Sequence, residues 1–190
     1  MKALDPTFKR LLMLKKQATI EEVVESINKN LWSAFQNVNN GTPIKFRAGQ
    51  TPLIYDPMSV ILNGYGSCTG LSIMLVDALR TAGVPARIAG TPAWNGKVEN
   101  GNHSWVEYYS VLQNKWIFIE AMTRGIPYNA CSYWFCNTSK FDGNTQVFAA
   151  RYRRSGLEEY IHYPMQWDIH NHGVAGEDRT KMMTDICTKC

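Results

Sequence analysis

Cys68 stands where a thiol can be made to react. It follows the turn Gly64-Tyr65-Gly66-Ser67 and opens a run from Thr69 to Ala82 that is almost wholly apolar or small. Leu71, Ile73, Met74, Leu75, Val76, Ala78 and Leu79 predict a buried helix, apolar nearly all round, stopped by Gly83. A thiol in the first turn of such a helix faces the positive end of the helix dipole, which favours the thiolate. The thiolate is the attacking species, and it needs a base within reach.

His103 is the candidate base. It is the only histidine among the well-patterned segments and follows Gly101-Asn102 at the start of an alternating stretch, His103 to Val111. Lys115 to Ala121 is a second strand, with Gln113-Asn114 as the turn, so the two form an antiparallel hairpin. Pairing about that turn sets residue 105 or 106 opposite Glu120 and His103 opposite residue 123. Glu120 and His103 are then near neighbours, and a carboxylate there can orient an imidazole and stabilise its charged form. Taken singly, the three residues have bland readings: a small core hydrophobe, a structural histidine, a glutamate reaching solvent. Their order on these elements makes them a set.

The elements that must position this set start at Thr19. Thr19 and Glu22 fit the reciprocal N-terminal box S/T-x-x-E. Ile20, Val23, Val24, Ile27, Leu31 and Phe35 follow on one helical face, and the helix should end near Asn39-Asn40-Gly41. Residues 1–18 read as a basic leader. Residues 41–63, with Pro43, Pro52 and Pro57, read as a long loop with short extended pieces. Ala86 to Thr91 reads as a strand, and residues 95–102 as a polar, flexible loop. Residues 122–190 have weak periodicity and are expected to be irregular, with two or three strands. Helices first and strands after them give an α+β class, an antiparallel sheet with helices on one side.

Three separated segments resemble the transglutaminase-like superfamily. Gly66-Ser67-Cys68-Thr69-Gly70-Leu71-Ser72, with Ala82-Gly83-Val84-Pro85-Ala86-Arg87, is similar to its nucleophile helix and the G-[IV]-P-[AS]-R turn after it. Gly101-Asn102-His103-Ser104-Trp105-Val106-Glu107 resembles its H-x-W-[VA]-E strand. Lys115-Trp116-Ile117-Phe118-Ile119-Glu120-Ala121 resembles its G-W-x-x-x-D-x-T acid strand, with Lys115 in place of Gly and Glu120 in place of Asp. The resemblance implies a papain-like α+β fold, with the Cys helix packed on an antiparallel sheet. It also implies Cys68 as nucleophile, His103 as general base and acid, and Glu120 as orienting acid. The Cys68 backbone N–H is one expected oxyanion donor, and Tyr65, Trp94 and Asn102 are candidates for a second. The expected organisation is a single domain over residues 1–190, with a catalytic core at about 20–123 and a less regular extension at 124–190. Beyond 123 the likeness is looser. Tyr163-Pro164-Met165-Gln166-Trp167 and Gly176-Glu177-Asp178-Arg179-Thr180 resemble the tail of a bacterial branch.

The expected activity is cleavage or transfer of an amide through a thioester, on a peptide or protein substrate, without metal or organic cofactor. The alternative is a catalytically inactive transglutaminase-fold module that binds protein or glycan. Cys131, Cys136, Cys187 and Cys190 form C-x4-C and C-x2-C pairs. They leave open a zinc site, free thiols or disulfides, and an odd total of five leaves one thiol over in any disulfide framework. His170-Asn171-His172, with Asp168, Glu177 and Asp178 nearby, invites a metal reading but lacks ligand spacing. Tyr133-Trp134-Phe135 and Trp167 read as core, or as the floor of a substrate groove.

A net charge of +4, with small basic knots at Lys2–Lys16 and at Arg151, Arg153 and Arg154, is too mild for a nucleic-acid footprint. Apolar residues at 45% and charged residues at 19% exclude a disordered chain. No apolar run approaches a membrane span, and Leu11-Leu12-Met13-Leu14 is too short for a signal core. The chain therefore reads as cytoplasmic, with a secreted or periplasmic place open if Met1 stands where a removed signal ended. Oligomeric state is not legible.

Overall fold

The computed structural model describes residues 18–49, 56–122, 130–151, 161–165, 170 and 172–190. The leader at 1–17, Arg153 and Arg154, Trp167, Asp168 and Asn171 lie outside the described residues.

Helix α1 (Ile20–Ala34) starts as its sequence predicts. Thr19 Oγ1 accepts from Glu22 N at 3.2 Å, and the Glu22 carboxylate accepts from Thr19 N at 2.8 Å. The helix ends sooner than the Asn-Asn-Gly signal implies: residues 35–41 run on as turns, and Asn40 and Gly41 supply the positive φ. In place of one long loop the chain then forms β1 (Lys45–Phe46), α2 (Pro57–Asn63) and β2 (Tyr65–Gly66). Helix α2 is two turns long, too short for its period to show. Its end signals are nonetheless present. The Asp56 carboxylate caps Ser59 N at 2.8 Å, and Pro57 opens the helix. Gly64 closes it at φ 70°, where any side chain would also strike the Asn39 amide.

Helix α3 (Cys68–Thr81) follows directly. After it come β3 (Ala86–Thr91), β4 (His103–Ser110), β5 (Lys115–Ile119), β6 (Phe148–Arg151), β7 (Ala175–Asp178) and α4 (Thr180–Cys187). The five longer strands make an antiparallel sheet of order β5-β4-β3-β6-β7, and β1 and β2 pair in parallel apart from it. The class is α+β, as expected. The segment 95–102 is more ordered than a polar, glycine-bearing loop suggests. It folds as two short 3-10 turns, Trp94–Gly96 and Val98–Asn100, with Asn95 and Gly96 at positive φ.

The chain divides into two compact units, Met1–Ala86 with Trp105–Ile126, and Arg87–Ser104 with Pro127–Cys190. The first holds the helical core. Val24, Ile27 and Leu31 of α1, Val60 of α2, and Leu71, Leu75 and Leu79 of α3 pack with Val106 and Tyr108 of β4 and Ile119 of β5. Helices α1 and α3 thus cover one face of the hairpin. Its register runs from Val106 opposite Ile119 to Ser110 opposite Lys115. A four-residue turn, 111–114, closes it, with Asn114 at positive φ and its side-chain oxygen accepting from Tyr109 OH at 2.6 Å.

The second unit has a smaller core built of Trp94, Phe135, Phe141, Val147, Ala149 and Met183. Its regular elements are short, and covalent links compensate. Cys131 is bonded to Cys190, and Cys136 to Cys187, which staples α4 to the segment around residues 130–136. The four downstream cysteines are therefore disulfides rather than a zinc site, and the leftover thiol belongs to Cys68.

Candidate active site

Cys68 is the first residue of α3. Ser67 precedes it as N-cap, its hydroxyl accepting from Gly70 N at 3.4 Å. Behind Cys68 the helix is anchored by Leu71, Leu75 and Leu79, each at most 1% exposed, while Cys68 itself is half-buried. This sequence folds so because β2 ends at Gly66, where Leu71 and Val60 crowd the space a side chain would take. The thiol therefore sits at the N-terminus of a fourteen-residue helix, the electrostatic setting that favours a thiolate.

His103 opens β4 in the second unit and is 5% exposed. Aromatic rings surround its imidazole. Trp134 meets it edge-on with centroids 5.0 Å apart, Phe135 lies at 5.2 Å, and Trp94 stacks at 6.4 Å with planes 26° apart. Trp94 and Phe135 are buried, whereas Trp134 is 57% exposed. The Trp94 turn is pinned by Trp94 N to Gly101 O at 2.9 Å and Asn95 N to Thr145 Oγ1 at 2.7 Å. The ammonium of Lys140 lies 5.5 Å from the Trp94 ring. Beneath His103, β3 passes so close that a side chain at Gly90 would collide with the His103 carbonyl oxygen. Glycine at 90 is what lets the two backbones approach here.

Glu120 follows β5 in the first unit and is half-buried. Its backbone is held from α1. Asn28 Nδ2 donates to Glu120 O at 3.0 Å, and Met122 N donates to Asn28 Oδ1 at 3.1 Å. Met122 adopts φ 67°, a left-handed conformation rare for a long side chain. The last pair of the ladder is Val106–Ile119, and its register, continued by one residue, matches Trp105 of the two partners expected for Glu120.

Cys68 and Glu120 thus belong to one unit and His103 to the other, at the last strand residues before the chain crosses between them. Sequence reasoning passed over Asn28. The available signal is a polar residue on the apolar face of α1, next to Ile27 and one turn after Val24. It also left the histidine's aromatic shell unassembled, because residues 94, 103, 134 and 135 come together only in the fold.

Other candidates resolve differently. His172 stacks on His162, with centroids 4.0 Å apart, rather than pairing with His170. Among the described residues no group of three His, Cys, Asp or Glu side chains is placed to hold a metal ion. Glu177 instead joins an ion network, accepting from Arg87 at 2.7 Å and Arg179 at 3.2 Å. Among the described residues no helix is long and apolar enough to cross a membrane.

Comparison with known proteins accords with this architecture. Among solved structures, LapG of Legionella pneumophila aligns with a TM-score of 0.50 at 14% identity, over 80% of this chain and 74% of that one. A putative protease from Parabacteroides distasonis aligns with a TM-score of 0.46 at 14% identity, over 77% of this chain but 26% of that one. The periplasmic domain of TgpA from Pseudomonas aeruginosa aligns with a TM-score of 0.29 at 17% identity, over 63% of this chain and 48% of that one. Among curated proteins none matches. The family model described as the transglutaminase-like superfamily matches residues 17–121, from just before α1 to just past Glu120. That span is more than half of the 190 residues and contains Cys68, His103 and Glu120 alike, so the chain belongs to the transglutaminase-like superfamily.

Proposed function

We propose that the protein is a cysteine enzyme that cleaves or transfers an amide of a peptide or protein substrate. The observation that carries the reading is the place of Cys68. Of five cysteines it alone stands outside the disulfides, and it is seated at the N-terminus of a helix most of whose other residues are buried. Cys68 Sγ attacks the amide carbonyl carbon, and the backbone N–H at Cys68 steadies the oxyanion. His103 delivers its proton to the leaving nitrogen as the C–N bond breaks, leaving a thioester on Cys68. Water, or an acceptor amine, then gives its proton to His103 and attacks the thioester, and the thiolate departs. Glu120 holds the imidazole in orientation through both steps. The two disulfides support a working place in an oxidising compartment, against the cytoplasmic expectation.

The test is alkylation of the native protein by iodoacetamide between pH 5 and 9, without reductant, read by peptide mass spectrometry. Selective carbamidomethylation of Cys68 at pH 6, lost in His103→Ala, is the expected result. A Cys68 that resists at pH 6 in the native protein removes the enzyme reading. The binding-module alternative predicts instead that Cys68→Ala leaves every measurable interaction with peptide unchanged and that no labelled casein is cleaved by either form.

A further inference from the structure

We propose that Asn28 is a positioning residue for Glu120, and that it acts by gripping the strained turn on which the carboxylate is mounted. The inference rests on the reading of Glu120 as the acid that orients His103. Asn28 is 1% exposed on the packed face of α1. A primary amide buried there is costly unless its donor and acceptor are both used. Both are used, and on one target: the amide N–H reaches Glu120 O at 3.0 Å and the amide oxygen receives Met122 N–H at 3.1 Å. A single side chain thereby brackets the backbone on either side of Ala121.

The turn it brackets is not a relaxed one. Met122 sits at φ 67°, where Gly would be at ease and a long side chain is not. The β4–β5 register runs to the Val106–Ile119 pair, and Asn28 takes hold of the backbone just beyond it. The asparagine is itself anchored, since its carbonyl accepts from the buried Trp32 indole N–H at 2.6 Å. A glutamate has one more rotatable bond than an aspartate, so a fixed backbone matters more for the placement of its carboxylate. Polar occupancy of an apolar stripe, a two-ended grip and local strain converge on the residue next to the proposed acid. A helix–strand contact that served packing alone would be met by an apolar residue and a relaxed turn.

The test reads the acid limb of the Cys68 alkylation profile with iodoacetamide as probe, on the full chain, in wild type, Asn28→Ala, Glu120→Gln, the double variant and Met122→Gly. Loss of an oriented carboxylate weakens the thiolate–imidazolium pair, so Glu120→Gln should move the limb upward by about one pH unit. Asn28→Ala should move it in the same direction by about half as much, and by nothing further in the Glu120→Gln background. Met122→Gly keeps the fold if Asn28→Ala does not. It should hold or raise the melting temperature while still moving the limb upward, because it relaxes the turn. The inference is overturned if Asn28→Ala superimposes on wild type, if its shift adds in full to that of Glu120→Gln, or if Met122→Gly gains stability with an unchanged profile. A wild-type Cys68 with no acid limb, or a limb that Glu120→Gln leaves in place, overturns the underlying reading and this inference with it. The Asn28 and Met122 arms speak to the inference alone.

Discussion

The indole of Trp134 stands edge-on to the imidazole of His103, with ring centroids 5.0 Å apart, and more than half of its own surface faces solvent. An exposed tryptophan beside a buried histidine is a wall more than a core residue. Its neighbour Phe135 touches the same imidazole and is wholly buried, so the two can be told apart by substitution. Trp134→Ala should cost under about 1 kcal/mol of stability, since little buried area is lost, whereas Phe135→Ala should cost about 3–5 kcal/mol. Trp134→Ala should nonetheless slow Cys68 alkylation at pH 6 by about threefold or more, as the imidazole gains solvent and freedom, with Trp134→Phe restoring most of the rate. Thermal melts and alkylation kinetics on the three variants check this.

The two disulfides are nested, Cys131–Cys190 outside Cys136–Cys187. On chain entropy, closing either loop first, with sequence separations of 59 and 51, is worth about 4 kcal/mol. Once one is closed, the other joins only short segments at each end and adds about 2.5 kcal/mol. Cys131→Ser with Cys190→Ser, or Cys136→Ser with Cys187→Ser, should therefore each cost about 2.5 kcal/mol, and all four together clearly more than twice that. Denaturant melts of the three variants would show this strong non-additivity; equal, additive losses would contradict it.

Gly90 has no strained φ, yet no side chain fits there, because the His103 carbonyl oxygen occupies the space. The obstacle is backbone, which cannot rotate away. Gly90→Ala should push β4 aside at its first residue, lower the melting temperature by several degrees, and slow Cys68 alkylation more than any nearby surface substitution does. Gly143→Ala, at a site with open space around it, is the control, although its φ of 94° adds local strain of its own.

Glu177 gives the second unit an acid-sensitive joint. Burial pushes its carboxyl up, but the hydrogen bond and charge of Arg87, with those of Arg179, outweigh that, and the group ionises below the ordinary 4.5. A carboxyl with a depressed folded value stabilises the protein above its unfolded value and loses that contribution as pH falls through the folded one. Stability should be level in this respect above pH 5 and decline from about 4.5 downward, steepening through the lowered value. Glu177→Gln should flatten the decline. Melting temperatures of both proteins from pH 7 to pH 3 make the comparison, and parallel curves would count against the network's role.

Long periodic elements were legible in the residues alone. The Thr19–Glu22 box, the apolar run after Cys68 and the hairpin register all follow from local pattern, because each spans enough residues for its period to repeat. Helices α2 and α4, seven and eight residues long, do not repeat enough and read as loop and as irregular chain. Cysteine pairing is a matter of which loops approach, and spacing cannot supply it. The surroundings of His103 were hidden for the same reason, since Trp94 and Trp134 are brought to it by the fold. Asn28 was in plain view as a polar residue among apolar ones, but its targets lie just past β5, some ninety residues away.

The staples around Trp134 set a practical trap for whoever handles this protein. Thiol reagents are routine additives wherever a cysteine does chemistry, since they keep the sulfur from climbing to sulfenic and sulfinic acids. Here the same additive would cut Cys136 from Cys187 and free the segment that lines His103. On the function proposed above, one sulfur in the molecule must stay electron-rich while four others must stay joined. A preparation rich in dithiothreitol and a preparation left in air would fail for opposite reasons, and both would look like a protein with no activity.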